Sequence, residues 1–156
     1  SAVLFYLFVY SVMNLGAFSI ISIIEGDETG MTFRDYRGLS VSHPWIAIFM
    51  ALFMISLVGF PPTTGFIAKY GLLSVAVENG YIWLVIIAVL NTLLSSYYYL
   101  RLIVNMYMKN EKDSLEPIYT GFNKYFVGLL AVVIVLLGVV PGFLLEIADK
   151  TAVSVF

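Results

Sequence analysis

Lys69 is the residue of this chain best placed to do chemistry. It is a lone lysine in the apolar tract 38–77 and follows closely on the breaker run Phe60-Pro61-Pro62-Thr63-Thr64-Gly65. A cation near the middle of a bilayer costs about 2.5–3.5 kcal/mol on insertion scales, so such residues are rare and mark ion or proton paths. The chemistry open to an amine there is proton exchange, because burial disfavours a fixed charge. The plainer reading is a lysine whose stem reaches the headgroups. Glu78, at the end of the tract, is roughly 13 Å away at ~1.5 Å of helix per residue, too far for easy snorkelling.

The other polar groups within apolar tracts are fewer and weaker. Asn91 and Ser95 are candidates to line a hydrated path, and interhelical hydrogen bonds explain them equally well, as they do Asn14 and Ser96. His43 is the residue type that relays protons near neutral pH, yet just before Pro44-Trp45 it also reads as an interfacial residue at a helix start. Tyr97, Tyr98, Tyr99 and Tyr107 read as an aromatic belt with Arg101 as a cytoplasmic anchor. Glu146 and Asp149 read as a solvated helix end at the opposite interface. The chain has no cysteine and one histidine, which excludes thiol catalysis and iron–sulfur ligation within it. It has no Gly-rich phosphate loop, no Ser/His/Asp set and no metal-ligand spacing, so nothing in it does covalent chemistry.

The elements that must position Lys69 are membrane helices. The chain is 61% hydrophobic and 12% charged, against roughly 45–50% and about 25% for ordinary soluble domains. The stretches 1–24, 38–68, 79–100 and 125–145 each have about the 20 apolar residues that span hydrocarbon. A net charge of −2 is too small to suggest nucleic acid. The chain starts at Ser1 inside an apolar tract without an initiator Met or a basic leader, so it reads as the C-terminal part of something longer.

Four spans are expected, at about 2–24, 45–77, 81–107 and 125–145, with the second broken at 60–65. The tract 45–77 is long for one span and short for two. Basic residues decide between these, because cytoplasmic loops collect them. One broken span puts Arg34, Arg37, Arg101, Lys109, Lys112 and Lys124 on one side and only Lys150 on the other, whereas two spans divide them almost evenly. Proline pairs inside a span are tolerated where the freed backbone groups face protein or a cavity. Pro61, Pro62, Thr63, Thr64 and Gly65 therefore form a helix break whose second half-helix is expected to aim its N-terminus near Lys69. Pro141-Gly142 is expected to kink the last span, and Gly138 with Gly142 matches the small-xxx-small pattern, which many spans show by chance.

These residues carry a resemblance. Asp35-Tyr36-Arg37-Gly38-Leu39, Met50-Ala51-Leu52-Phe53 and Gly59-Phe60-Pro61-Pro62-Thr63-Thr64-Gly65-Phe66-Ile67-Ala68-Lys69 resemble the proton-pumping membrane subunits of respiratory complex I, relatives of the multisubunit sodium/proton antiporters. Tyr10-Ser11-Val12-Met13-Asn14-Leu15-Gly16-Ala17-Phe18 and Leu90-Asn91 through Ser95-Ser96-Tyr97-Tyr98-Tyr99-Leu100-Arg101 are similar to the branch called subunit N, the counterpart of mitochondrial subunit 2. Subunit M usually has glutamate where Lys69 stands, and subunit L carries a long amphipathic helix after this region.

The resemblance implies an all-α polytopic membrane protein, with this chain supplying the last four of fourteen transmembrane helices. That fold holds two inverted five-helix repeats, each with a discontinuous helix; 45–77 would be one of these, with Lys69 in the outward proton half-channel. The implied function is proton translocation coupled to electron transfer from NADH to quinone. NADH, flavin, iron–sulfur clusters and quinone would sit in other subunits, with no cofactor in this chain. Implied partners are other membrane-arm subunits, lipid and protons, in the bacterial inner membrane or, for an organellar chain, the mitochondrial inner membrane. The family's other essential groups, a glutamate and lysines on earlier helices, are not among these residues. The alternatives are a subunit of a sodium/proton antiporter or membrane-bound hydrogenase, or a purely structural subunit in which Lys69 only fixes packing.

Overall fold

Long runs of Leu, Ile, Val, Met and Phe become helices, and glycine or proline punctuates the middle of the chain. The structure, a computed structural model, describes residues 2–25, 32–108 and 121–139. Their helices are α1 (Ala2–Glu25), the single turn α2 (Leu39–Ser42), α3 (Pro44–Val58), α4 (Thr64–Glu78), α5 (Ile82–Met108) and α6 (Gly121–Val139). No strand is present among the described residues.

Helices α1 and α5 are each long and apolar enough to cross a membrane. Helices α3 and α4 have 15 residues each, or about 22 Å at ~1.5 Å per residue, short of the ~30 Å hydrocarbon core. Both pack against α5, a helix of 27 residues. Near its far end the Met106 carbonyl accepts a 2.8 Å hydrogen bond from Ser40 Oγ, beside the start of α3. Its near end follows α4 through the turn at Asn79 and Gly80. Helices α3 and α4 thus lie one after the other along α5.

Helix α1 is the centre of the bundle, packed on α3, α4 and α6. Val9, Met13 and Ile20 of α1 and Met50 and Phe53 of α3 are fully buried. Gly16 makes room for the Phe53 ring, which occupies the space where a Cβ would stand. Helix α6 closes the other side with Val127, Ala131, Ile134 and Leu137 buried, a spacing of four and three that keeps one seam turned inward. Trp83, Leu84 and Leu94 of α5 are 79%, 61% and 68% exposed. A large apolar surface of this kind faces lipid or protein and not water.

Two expectations need adjusting. The segment between the expected spans 2–24 and 45–77, placed outside the membrane by the count of basic residues, contributes buried Tyr36 and Leu39 to the core. The helix after the break resumes at Thr64, so Thr64 and Gly65 form its first turn and not part of the gap. Pro141, Gly142, Glu146, Asp149, Lys109, Lys112 and Lys150 lie outside the described residues.

Candidate functional site

The site is built at the helix break, and the carbonyl end of α3 explains it. An α-helix leaves its last four carbonyls without helical partners. Here they are Ile55, Ser56, Leu57 and Val58. Gly59 takes the left-handed conformation at φ 82, which glycine adopts without a Cβ penalty. Its N–H then donates to Ser56 O at 3.0 Å while Phe60 N–H donates to Ile55 O at 3.3 Å, a Schellman end. The remaining two carbonyls are taken by Lys69. Its Nζ donates to Leu57 O at 2.8 Å and to Val58 O at 3.3 Å. A cation at the negative end of a helix dipole is also electrostatically favoured.

The amine end of α4 is satisfied across the same break. Ser56 Oγ, buried in α3, accepts from Gly65 N–H at 3.2 Å. Thr63 is the N-cap, its side chain accepting from Phe66 N–H at 3.4 Å. The close approach demands glycine at 65, because a Cβ there would run into the Ser56 carbonyl. Thr64 Oγ1 donates to the Ile134 carbonyl of α6, tying the first turn of α4 to a third helix. The Lys69 amine lies on the negative end of α3.

Lys69 is half-buried and faces a cavity of about 280 Å³ between α1, α4 and α5. Asn91, Thr92, Ser95 and Tyr99 of α5 and Tyr6 and Tyr10 of α1 line it, with Leu72, Leu73 and Ala88 as apolar wall. Such a volume takes several waters, and it offers them the polar partners that buried water needs. The structure thus brings Lys69, Asn91 and Ser95 together. It does not bring His43 to them: His43 precedes α3, roughly 20 Å away along the helix axis at ~1.5 Å per residue. Asn14 donates at 2.8 Å to Tyr10 O of its own helix, and Ser96 at 2.7 Å to Leu93 O. Arg101 is exposed and lies over the Phe33 ring at 5.1 Å. Among the described residues no group of His, Cys, Asp and Glu is arranged to hold a metal.

The family described as NADH:quinone oxidoreductase/Mrp antiporter, TM, matches residues 1–95. The chain belongs to this transmembrane family. Within it, the chain is 41% identical over 145 residues to NADH-quinone oxidoreductase subunit N 1 of Thermodesulfovibrio yellowstonii, covering 93% of this chain and 31% of that protein. It is 43% identical over 157 residues to subunit N of Trichlorobacter lovleyi, covering 96% and 31%. A chain of respiratory complex I from Thermus thermophilus superposes with a TM-score of 0.82 at 29% identity, over 93% of this chain and 33% of that one. The chain therefore spans about a third of the length of the relatives it matches.

Sequence reasoning missed four members of the cavity wall: Tyr6, Tyr10, Thr92 and Tyr99. A signal was available for three of them. Asn91, Ser95 and Tyr99 recur at intervals of four, as do Tyr6 and Tyr10, so each set shares a helix face. Tyr97 and Tyr98, on other faces of α5, are exposed as a belt requires. Tyr99 turns inward instead.

Proposed function

We propose that this chain is part of subunit N of NADH–quinone oxidoreductase, a proton-translocating membrane-arm subunit, and that Lys69 takes up and releases a transported proton. The observation that carries this reading is the Lys69 amine itself. It is held at a helix break with two hydrogen bonds, against a cavity that also receives Asn91 and Ser95. Buried ionisable groups beside a broken helix are a recurring feature of ion pathways.

In this reading Lys69 receives a proton from hydrated groups on helices of the parent protein beyond this chain, and releases it to the far side of the membrane. Its charge responds to neighbouring ionisable groups, whose influence is strengthened by a low-dielectric interior. Pro61, Pro62 and Thr63 supply the break, Thr64 and Gly65 open the helix after it, and Asn91 and Ser95 help to line the path. The redox work is done elsewhere in the complex, in subunits holding NADH, flavin, iron–sulfur clusters and quinone. Partners are the other membrane-arm subunits and the lipid of a bacterial inner membrane, or the mitochondrial inner membrane for an organellar chain. The family also includes Mrp antiporters, where the same lysine geometry would serve sodium/proton exchange. The subunit N names of the relatives favour the reductase.

The test uses the full-length parent in the intact complex, in membrane vesicles, with NADH-driven quinone reduction, proton uptake and native-gel assembly recorded together. Lys69→Arg is the decisive variant. A guanidinium keeps the charge and the donors for Leu57 and Val58 but does not deprotonate in proteins. An assembled complex with depressed proton uptake is expected. Normal uptake by an assembled Lys69→Arg complex would sink the proton-carrier reading. If Lys69→Met then failed to assemble, the purely structural role would stand in its place.

A further inference from the structure

We infer that Tyr6 and Tyr99 relay the proton of Lys69 through the water of its cavity, an inference that rests on Lys69 being the proton carrier. Counting donors leads to them. A lysine ammonium has three N–H groups, and two are spent on Leu57 and Val58 oxygens. One proton is left to go into the cavity.

The polar side chains that meet it are not equivalent. Thr92 Oγ1 donates to Ala88 O at 2.9 Å, and Ser95 Oγ donates to Asn91 O at 2.8 Å. Their hydroxyl protons are committed to the α5 backbone, so towards the cavity they only accept. Asn91 offers an amide, which holds water in place but does not exchange a proton with an amine. A phenol both accepts at its oxygen and donates its own proton. Among the described residues lining the cavity, only the tyrosines do both without giving up a helix-backbone bond.

Placement favours Tyr6 and Tyr99 over Tyr10. Tyr6 and Tyr99 are half-buried, on α1 and α5 respectively, and both line the cavity that Lys69 faces. Tyr10 is more exposed and stacks on Tyr6, with ring centroids 5.7 Å apart and planes at 17°. The step balances as a concerted hop. One N–H bond of Lys69 breaks as an O–H bond forms on a water in the cavity, that water passes a proton to the tyrosine oxygen, and the tyrosine's original O–H proton passes to the next water. The lysine becomes a neutral amine, the tyrosine stays neutral, and the reverse sequence reloads the lysine.

Tyr→Phe removes only the hydroxyl and tests this directly. The variants are Tyr6→Phe, Tyr99→Phe, the double variant, and Tyr98→Phe as a neighbour outside the cavity, each in the full-length parent and intact complex. Proton uptake in vesicles, its solvent deuterium effect and native-gel assembly are measured beside Lys69→Arg. The double variant is expected to assemble, to take up protons several-fold more slowly and to show a changed deuterium effect, while Tyr98→Phe behaves as wild type. If the double variant does not assemble, the two single variants give the same reading at smaller amplitude. Wild-type uptake and deuterium effect in the tyrosine variants, with Lys69→Arg impaired, would overturn the relay and leave the lysine as carrier. Wild-type uptake in Lys69→Arg as well would overturn both.

Discussion

Two of the three N–H groups of Lys69 close off α3 carbonyls, so this side chain holds the break together as well as presenting a proton. The two roles separate under substitution. Lys69→Met strands Leu57 O and Val58 O, each left unsatisfied at about 1–3 kcal/mol, whereas Lys69→Arg supplies donors to both. The assembled Lys69→Met complex should therefore dissociate at a lower temperature on native gels than the Lys69→Arg complex, although both lose proton uptake. Equal thermal stability would mean that the amine contributes nothing to the break. The glycines of α4 give a second residue-scale contrast. Gly65→Ala drives a methyl into the Ser56 carbonyl, while a methyl at Gly71 meets nothing within 4 Å. Gly71→Ala should be neutral or gain up to about 1 kcal/mol from helix propensity. Gly65→Ala should lower assembled complex sharply, and equal assembly of the two would contradict the close approach of the half-helices.

At the scale of elements, the break is held from outside by α6. Thr64 Oγ1 donates to Ile134 O, and Gly138 of α6 approaches so closely that a Cβ there would stand 3.0 Å from Thr64 Oγ1. Thr64→Val keeps the shape and removes the hydroxyl, so it should cost about 1 kcal/mol. A drop in the dissociation temperature smaller than that of Lys69→Met is the expected reading. No drop would mean that α6 packs on the break without anchoring it. How much of this was legible in the chain depends on distance along it. Pro61-Pro62 beside Lys69 announced an interrupted helix, because proline's effect on a helix is local. That Lys69 folds back onto Leu57 and Val58 was not legible, since it depends on how α4 is offset from α3, which no local pattern encodes. The cavity was half legible: Asn91 and Ser95 drew attention as polar groups in an apolar tract. Tyr99 was hidden among adjacent tyrosines, because a triple repeat obscures the interval of four that places it on their face.

For the whole molecule, the arrangement of α3, α4 and α5 makes a topological demand that biochemistry can check. Ser40 meets Met106 at one end of α5, while Asn79 lies at the other end, roughly 40 Å away for a 27-residue helix at ~1.5 Å per residue. If α3 and α4 form one interrupted crossing, Ser42 and Met108 face the same side of the membrane and Asn79 faces the opposite one. Two separate short spans would instead put Ser42 and Asn79 on the same side. The described segment beside Ser42 holds Arg34 and Arg37 and Arg101 stands near Met108, so the distribution of positive charge predicts that side to be the cytoplasmic one. This chain has no cysteine of its own, so single cysteines at 42, 79 and 108 report cleanly once any in the rest of the parent are removed. In inside-out vesicles a membrane-impermeant thiol reagent should label 42 and 108 and leave 79 until the membrane is opened. Labelling of 79 together with 42 would require a hairpin at Pro61-Pro62. That outcome would move Lys69 from the middle of the bilayer towards its surface, and with it remove the reason to assign this lysine a proton path.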